Sequence, residues 1–158
     1  MWRRSEEPAD EPDDSIVEWF EEPTPADSRV LIHGVSGFLD AGGAVKTAVE
    51  HLLETTQNRL LAQFDVDLLF DYRGRRPRMT YLTDRFGDID LPTLNLTECM
   101  DERGNTFLLL HGVEPDMGWM TVVDSVVELV EDLNITLTVD RKSTRLNSSQ
   151  ITISYAVF

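Results

Sequence analysis

Two histidines, three carboxylates and a glycine-rich turn are the residues of this chain whose types and spacing suit chemistry. Leu31-Ile32-His33-Gly34-Val35 runs into Ser36-Gly37-Phe38-Leu39-Asp40-Ala41-Gly42-Gly43, and Leu109-Leu110-His111-Gly112-Val113 runs into Glu114-Pro115-Asp116-Met117-Gly118-Trp119. Each is an apolar run that ends in His-Gly, then a small or acidic turn, then a helical pattern. That order describes a buried parallel strand leaving a sheet at its carboxyl end, where open α/β folds hold their ligands. His33, His111, Asp40, Glu114 and Asp116 are therefore expected near strand ends, where they could converge. Two imidazoles with three carboxylates suit a metal site or a general acid/base pair. No local ligand spacing supports a metal, however, and neither a Ser-His-Asp order nor a nucleophile elbow is present. Strand-end histidines more often bond loop backbone, and the favoured reading is non-catalytic, with no cofactor and no metal.

The turn holding Ser36, Gly37, Gly42 and Gly43 precedes a helix, so its amides and the positive helix end suit a phosphate or carboxylate. It lacks the Gly-Lys-Ser/Thr of a P-loop and the Gly-x-Gly-x-x-Gly of a dinucleotide fold. Asp40, beside those amides, is expected to take the anion position itself as a cap. A second cluster, Arg73, Arg75, Arg76 and Arg78, lies in the turn-rich run Asp71-Tyr72-Arg73-Gly74-Arg75-Arg76-Pro77-Arg78. Its functional reading is a contact for an anion or an acidic partner, including the protein's own acidic amino-terminal segment. The plain alternative is a solvated loop with local ion pairs.

The elements that position these residues follow from periodicity. Val30 to His33 reads as a strand, and Ala44, Val45, Ala48, Val49, Leu52 and Leu53 share one face of a helix from about Gly43 to Thr56. Strands are expected at Leu60 to Phe64, Met79 to Thr83, Leu94 to Cys99, Phe107 to Gly112 and Ile135 to Val139. A broad apolar stripe from Trp119 through Val122, Val123, Val126, Val127, Leu129, Val130 and Leu133 predicts a core-facing helix from about Gly118 to Asn134, with Asp116 as its cap. The order is that of an α/β fold.

Composition bounds the rest. At 158 residues, 41% apolar and 27% charged, the chain suits one globular domain. A formal charge of −15 argues against non-specific nucleic-acid binding. No apolar run approaches a membrane span, no apolar stretch follows Arg3 and Arg4 as in a secretory signal, and lone Cys99 suits a reducing compartment. A cytoplasmic protein with no membrane partner is the expectation. Residues 1–28 carry ten acids against two arginines and four prolines, and are read as a flexible acidic segment. Within it, Ile16-Val17-Glu18-Trp19-Phe20 is an apolar island expected to dock on the domain rather than bind a partner. Residues 29–139 form the α/β domain. Residues 140–158 break character: the charge sign changes and no helix follows. Arg141-Lys142-Ser143-Thr144-Arg145-Leu146-Asn147-Ser148-Ser149 resembles translated adaptor or vector sequence, so 140–158 is read as a non-native tail on a domain truncated near Val139, the alternative being a genuine hairpin through Asn147-Ser148.

Three runs in order, His33 to Gly43, Phe70 to Pro77, and Leu110 to Asp116 followed by Trp119, resemble the second proteasome assembly chaperone family, in particular its actinobacterial branch. The resemblance covers about Arg29 to Val139. It implies a three-layer α/β/α sandwich like that of nucleoside phosphorylases, and a chaperone-like, non-catalytic role whose partners are proteasome α subunits or another protein, with a tendency to oligomerise. The alternative it leaves is a nucleoside phosphorylase-like enzyme or small-ligand-binding protein using the strand-end crevice. Some relatives dock through a hydrophobic residue and a penultimate Tyr at the carboxyl terminus. Here Tyr155 is fourth from the end, so that docking mode does not carry over.

Overall fold

In the computed structural model, residues 15–37, 40–143 and 151–157 are described. Most of the acidic run at 1–14, Phe38 and Leu39 of the glycine-rich turn, and 144–150 of the suspected tail lie outside them. The elements are β1 (Val17–Trp19), β2 (Arg29–Ser36), α1 (Ala44–Thr55), β3 (Gln57–Phe64), β4 (Arg78–Leu82), β5 (Arg85–Asp90), β6 (Leu94–Met100), β7 (Thr106–Val113), α2 (Trp119–Asp132), β8 (Ile135–Ser143) and β9 (Ile151–Val157). Seven strands form one mixed sheet in the order β1-β3-β6-β7-β2-β8-β9, and β4 with β5 form a separate hairpin. The expected helices and strands are all present to within a few residues. β8 continues past Val139 to Ser143 and pairs antiparallel with β9, Val139 facing Tyr155.

The two His-Gly runs are neighbouring parallel strands, staggered by one residue: His33 pairs with Leu110, and Gly34 with His111. Residues directly opposite one another share a sheet face, and successive residues alternate. His111 therefore shares its face with Gly34, whereas His33 points to the other. A Cβ on Gly34 would run into Val49 of α1, so that face is the one α1 covers, with Leu109 beside it. The opposite face holds the main core. Leu108 and Leu110 of β7, Leu94 and Leu96 of β6, and Leu61 and Phe64 of β3 cluster there with Val122, Leu129 and Leu133. Leu69 and Phe70, from the loop after β3, complete it. At about 1.5–3 kcal/mol per fully buried large apolar side chain, this face supplies most of the burial that offsets chain entropy.

α2 departs from the expected stripe. Val122 and Leu129 are buried, but Trp119, Val123 and Val127 are 47%, 47% and 50% exposed, so Trp119 is not a core residue. A helix laid on a sheet buries about one third of its circumference, and the sequence stripe is wider than that. Asp116 does not cap α2 either. Gly118, at φ 70°, is the N-cap residue, with no side-chain cap bond.

The apolar island of the amino-terminal segment docks. Val17–Trp19 pairs antiparallel with β3, Ile16 is buried, and the backbone amides of Phe20 and Glu21 reach the Leu61 carbonyl. Composition pointed to a loose segment through Ser28, yet from Ser15 onward it lies along the domain, because buried polar partners await it. Glu98 of β6, 5% exposed, accepts from the Thr24 amide and hydroxyl, both at 2.9 Å, and from Arg59 Nε at 2.9 Å. Arg59 also reaches Glu21 at 2.8 Å and the Glu22 carbonyl at 2.9 Å. Burial pushes the Glu98 carboxyl up, but the Arg59 and Thr24 bonds outweigh it and hold the group below its ordinary value. Buried Arg29 donates to the carbonyls of Thr24 and Leu133, tying the segment to the end of α2.

Gly112 has φ 139°, and a Cβ there would collide with the Thr93 backbone at the start of β6. Gly104 also has positive φ, 84°, but faces open space. Gly112→Ala is thus expected to cost about 2–5 kcal/mol from strain and overpacking, against about 1–2 kcal/mol for Gly104→Ala. Urea unfolding of the two variants checks this, and equal losses would contradict the close approach at Thr93.

Candidate functional site

The carboxyl ends of β2 and β7 open into a cavity of about 680 Å³ on the face that α1 covers. Ser36, His111, Arg75, Arg76 and Arg78 line it, joined by Lys46 from α1. The crevice and the arginine loop, separate clusters in the sequence, are thus walls of one site. α1 is anchored on this thinner face by Val45 and Val49, and polar groups fill in beneath the cavity floor. Thr97 Oγ1 and His111 Nε2 lie 2.9 Å apart, and the Ser36 hydroxyl donates to the Gly112 carbonyl at 3.0 Å. Burial holds the His111 imidazole below its ordinary value, which favours the neutral ring.

The expected convergence of five titratable groups does not occur. His33, on the opposite face, pairs with Asp140 of β8, Nδ1 to Oδ1 at 3.3 Å. Asp40 accepts from the amides of Val45 at 3.0 Å and Lys46 at 3.3 Å, occupying the position at the start of α1 that a bound phosphate would take. Gly42 and Gly43, at φ 78° and 67°, supply the left-handed turn into that helix and bring no ligand group. Glu114 packs against Gly37, where a Cβ would overlap its carboxylate, and its amide reaches the Ser36 carbonyl at 2.9 Å. Among the described residues, no three His, Cys, Asp or Glu side chains come together as a metal site.

Asp116 instead organises the arginine loop. Its Oδ2 accepts from the Asp71 amide at 3.1 Å and its Oδ1 pairs with Arg75 Nη2 at 3.0 Å. Arg75 also reaches the Glu114 carbonyl. Asp71 in turn holds the amides of Arg73, Gly74 and Arg75, at 2.9, 3.0 and 2.9 Å. The loop is thereby built from both strand ends, and Arg75 is spent on structure. Arg76 and Arg78, exposed at the cavity wall, form no ion pair among the described residues. Cys99 is fully buried, and burial pushes its thiol up, which disfavours the thiolate. Sequence reasoning missed Lys46, whose only signal is its place two residues into the helix after the glycine-rich turn.

Residues 34–143 match the model of the PAC2 family. A Mycobacterium tuberculosis protein of unknown function, Rv2714, is 40% identical over 80% of this chain and 46% of its own, with a TM-score of 0.74. A Corynebacterium glutamicum protein of unknown function is 34% identical over 80% and 49%, also at 0.74. The chain spans about half the length of these two structures. The Mycobacterium tuberculosis proteasome-assembly chaperone homologue Rv2125 shares the fold at 20% identity, covering 77% of this chain and 65% of its own, with a TM-score of 0.62. No curated protein matches the chain. Among the described residues no helix is long and apolar enough to cross a membrane.

The unfolded chain restores His111 to about 6.5, so on acidification it takes up its proton before the folded protein does. Stability is expected to fall as the pH drops below about 6.5, and His111→Gln should flatten that part of the decline. Urea unfolding at pH 7.5, 6.5 and 5.5 reads the difference, and parallel curves for the two proteins would show that His111 is not held neutral.

Proposed function

Because the chain belongs to the PAC2 family, we propose that it is a chaperone-like, non-catalytic protein-binding module that holds proteasome α subunits, or another protein, through the arginine loop. The observation that carries this reading is the presentation of Arg76 and Arg78, exposed and without an ion pair among the described residues, at the end of a loop braced by Asp116 and Asp71. A braced loop loses little conformational freedom when a partner arrives, and arginine forks pair with carboxylates while their stems cover apolar surface. The description of Rv2125 as a proteasome-assembly chaperone homologue supports the same direction. We place the protein in the cytoplasm and expect it to act as an oligomer. The packing of α1 beside Gly34 and of α2 on the opposite face supports a three-layer α/β/α arrangement of nucleoside phosphorylase type.

One observation favours a second reading. A cavity of about 680 Å³ at strand carboxyl ends, with an apolar wall and with Lys46, Arg75, Arg76 and Arg78 outnumbering the carboxylates Glu50 and Asp90, has the volume and make-up of a small-ligand site. It would take an anionic small molecule such as phosphate or a nucleoside phosphate. Calorimetric titration of the protein with inorganic phosphate and with inosine monophosphate tests it. The protein-binding reading expects no heat from either, and saturable heat abolished by Lys46→Ala would transfer the site to the small molecule.

Arg76→Glu combined with Arg78→Glu is expected to weaken capture of recombinant proteasome α subunits at least tenfold, with unfolding midpoint and far-ultraviolet circular dichroism unchanged. Arg75→Ala should act differently, lowering stability as the loop loses its brace on Asp116. Undiminished capture by the double variant would remove the arginine loop from the interface.

A further inference from the structure

The hairpin of β4 and β5 stands apart from the main sheet. Its strands pair only with each other among the described residues, and both are exposed along their length except at Gly87. Two-stranded hairpins are marginal on their own, and this one carries an unusual apolar load. Met79, Tyr81, Leu82, Phe86 and Ile89 are 47%, 66%, 44%, 68% and 50% exposed, and Leu91 follows at 52%. Tyr81 and Phe86 meet edge to face across the two strands, ring centroids 5.3 Å apart. An exposed apolar concentration of this kind marks an interaction surface.

Charge identifies what it fits. Residues 73–91 hold five arginines and three aspartates, a balance of +2 within a chain of −15. The two strands differ: β4, Arg78-Met79-Thr80-Tyr81-Leu82, has one arginine and no acid, whereas β5 has Asp88 and Asp90 against Arg85 alone. The register distinguishes them again. Between the pairs Met79 with Ile89 and Tyr81 with Phe86, β5 advances by one residue more than β4, so the bulge lies in β5 and β4 is the regular strand. Leu82 and Arg85 close the two-residue turn. Because hydrogen-bonded pairs alternate, the backbone amide and carbonyl of Tyr81, opposite Phe86, face away from β5. The base of the hairpin, Arg78 and Asp90, forms part of the cavity wall beside Arg76.

We propose that the free edge of β4 docks an extended acidic and apolar segment of a partner protein, which adds as a third strand with its carboxylates toward Arg76 and Arg78. This rests on the protein-binding reading and specifies its mode. Main-chain bonds to β4 supply affinity, Met79, Tyr81 and Leu82 receive alternate apolar side chains, and the arginines select for acid. Strand addition also completes a three-stranded sheet, which the isolated hairpin lacks.

The test uses a fluorescein-labelled twelve-residue peptide repeating Glu-Leu-Asp-Phe, with a counterpart in which lysine replaces each acid. Fluorescence anisotropy should show saturable binding of the acidic peptide alone, weakened at least tenfold by Met79→Ser with Leu82→Ser and also by Arg76→Glu with Arg78→Glu. Hydrogen exchange at the Tyr81 amide should slow at least tenfold on binding. Unchanged affinity in the Met79/Leu82 variant overturns the hairpin mode while leaving the arginine-loop reading intact. Equal binding of the lysine peptide overturns the charge argument. Absence of peptide binding, with concentration-dependent self-association that Met79→Ser and Leu82→Ser abolish, would assign the edge to a second copy of this chain and overturn the proposal.

Discussion

The one-residue stagger between β2 and β7 decides what every other part of the site can do. Both strands carry the same His-Gly run, and in unstaggered register their imidazoles would stand side by side on one face. Displaced by one residue, Gly34 lies opposite His111, leaving room for Val49 of α1 to approach and for one imidazole to sit beneath a cavity. His33 is sent to the opposite face, where Asp140 of the next strand receives it. A two-histidine centre is excluded by pleat geometry alone.

The two faces of the sheet then take different work. The α2 face is filled by leucines and phenylalanines in contact with one another. The α1 face has Leu109, Val45 and Cys99 buried but substitutes Thr97, Ser36 and His111 toward the strand ends, so its packing opens there into the cavity. Asp116 belongs to the turn after β7, yet its carboxylate holds the backbone of the loop after β3. The mouth of the cavity and the arginine loop are consequently mechanically one piece.

Much of the fold was legible because amphipathic helices and buried strands leave periodic traces. Val45, Ala48, Val49 and Leu52 marked α1 to within a residue, and the leucines of β6 and β7 marked themselves as interior. The stagger left no trace, since a strand buried on both faces is apolar at every position and gives no preference for one register. β5 was invisible for the opposite reason: Arg85-Phe86-Gly87-Asp88-Ile89-Asp90 buries nothing, so burial imposed no pattern on it. The position of Asp116 before α2 points to a helix cap, a local rule overridden by Arg75 and the Asp71 amide. The contacts of the amino-terminal segment beyond its apolar island left no local trace, because Glu98 and Arg59, which receive it, are distant in sequence.

The place of β2 in the sheet sets an order of assembly. β3, β6 and β7 form an antiparallel run of neighbours that closes within roughly sixty residues, interrupted only by the hairpin. β2 is made before any of them, but its two neighbours, β7 and β8, lie some seventy to one hundred residues downstream. At a synthesis rate of about 5–20 residues per second, the emerging chain carries Val30, Leu31 and Ile32 unpaired for several seconds. The strand that joins the two halves of the sheet therefore waits longer for both its neighbours than β3, β6 or β7 does, and its contacts carry the high sequence separation that slows folding.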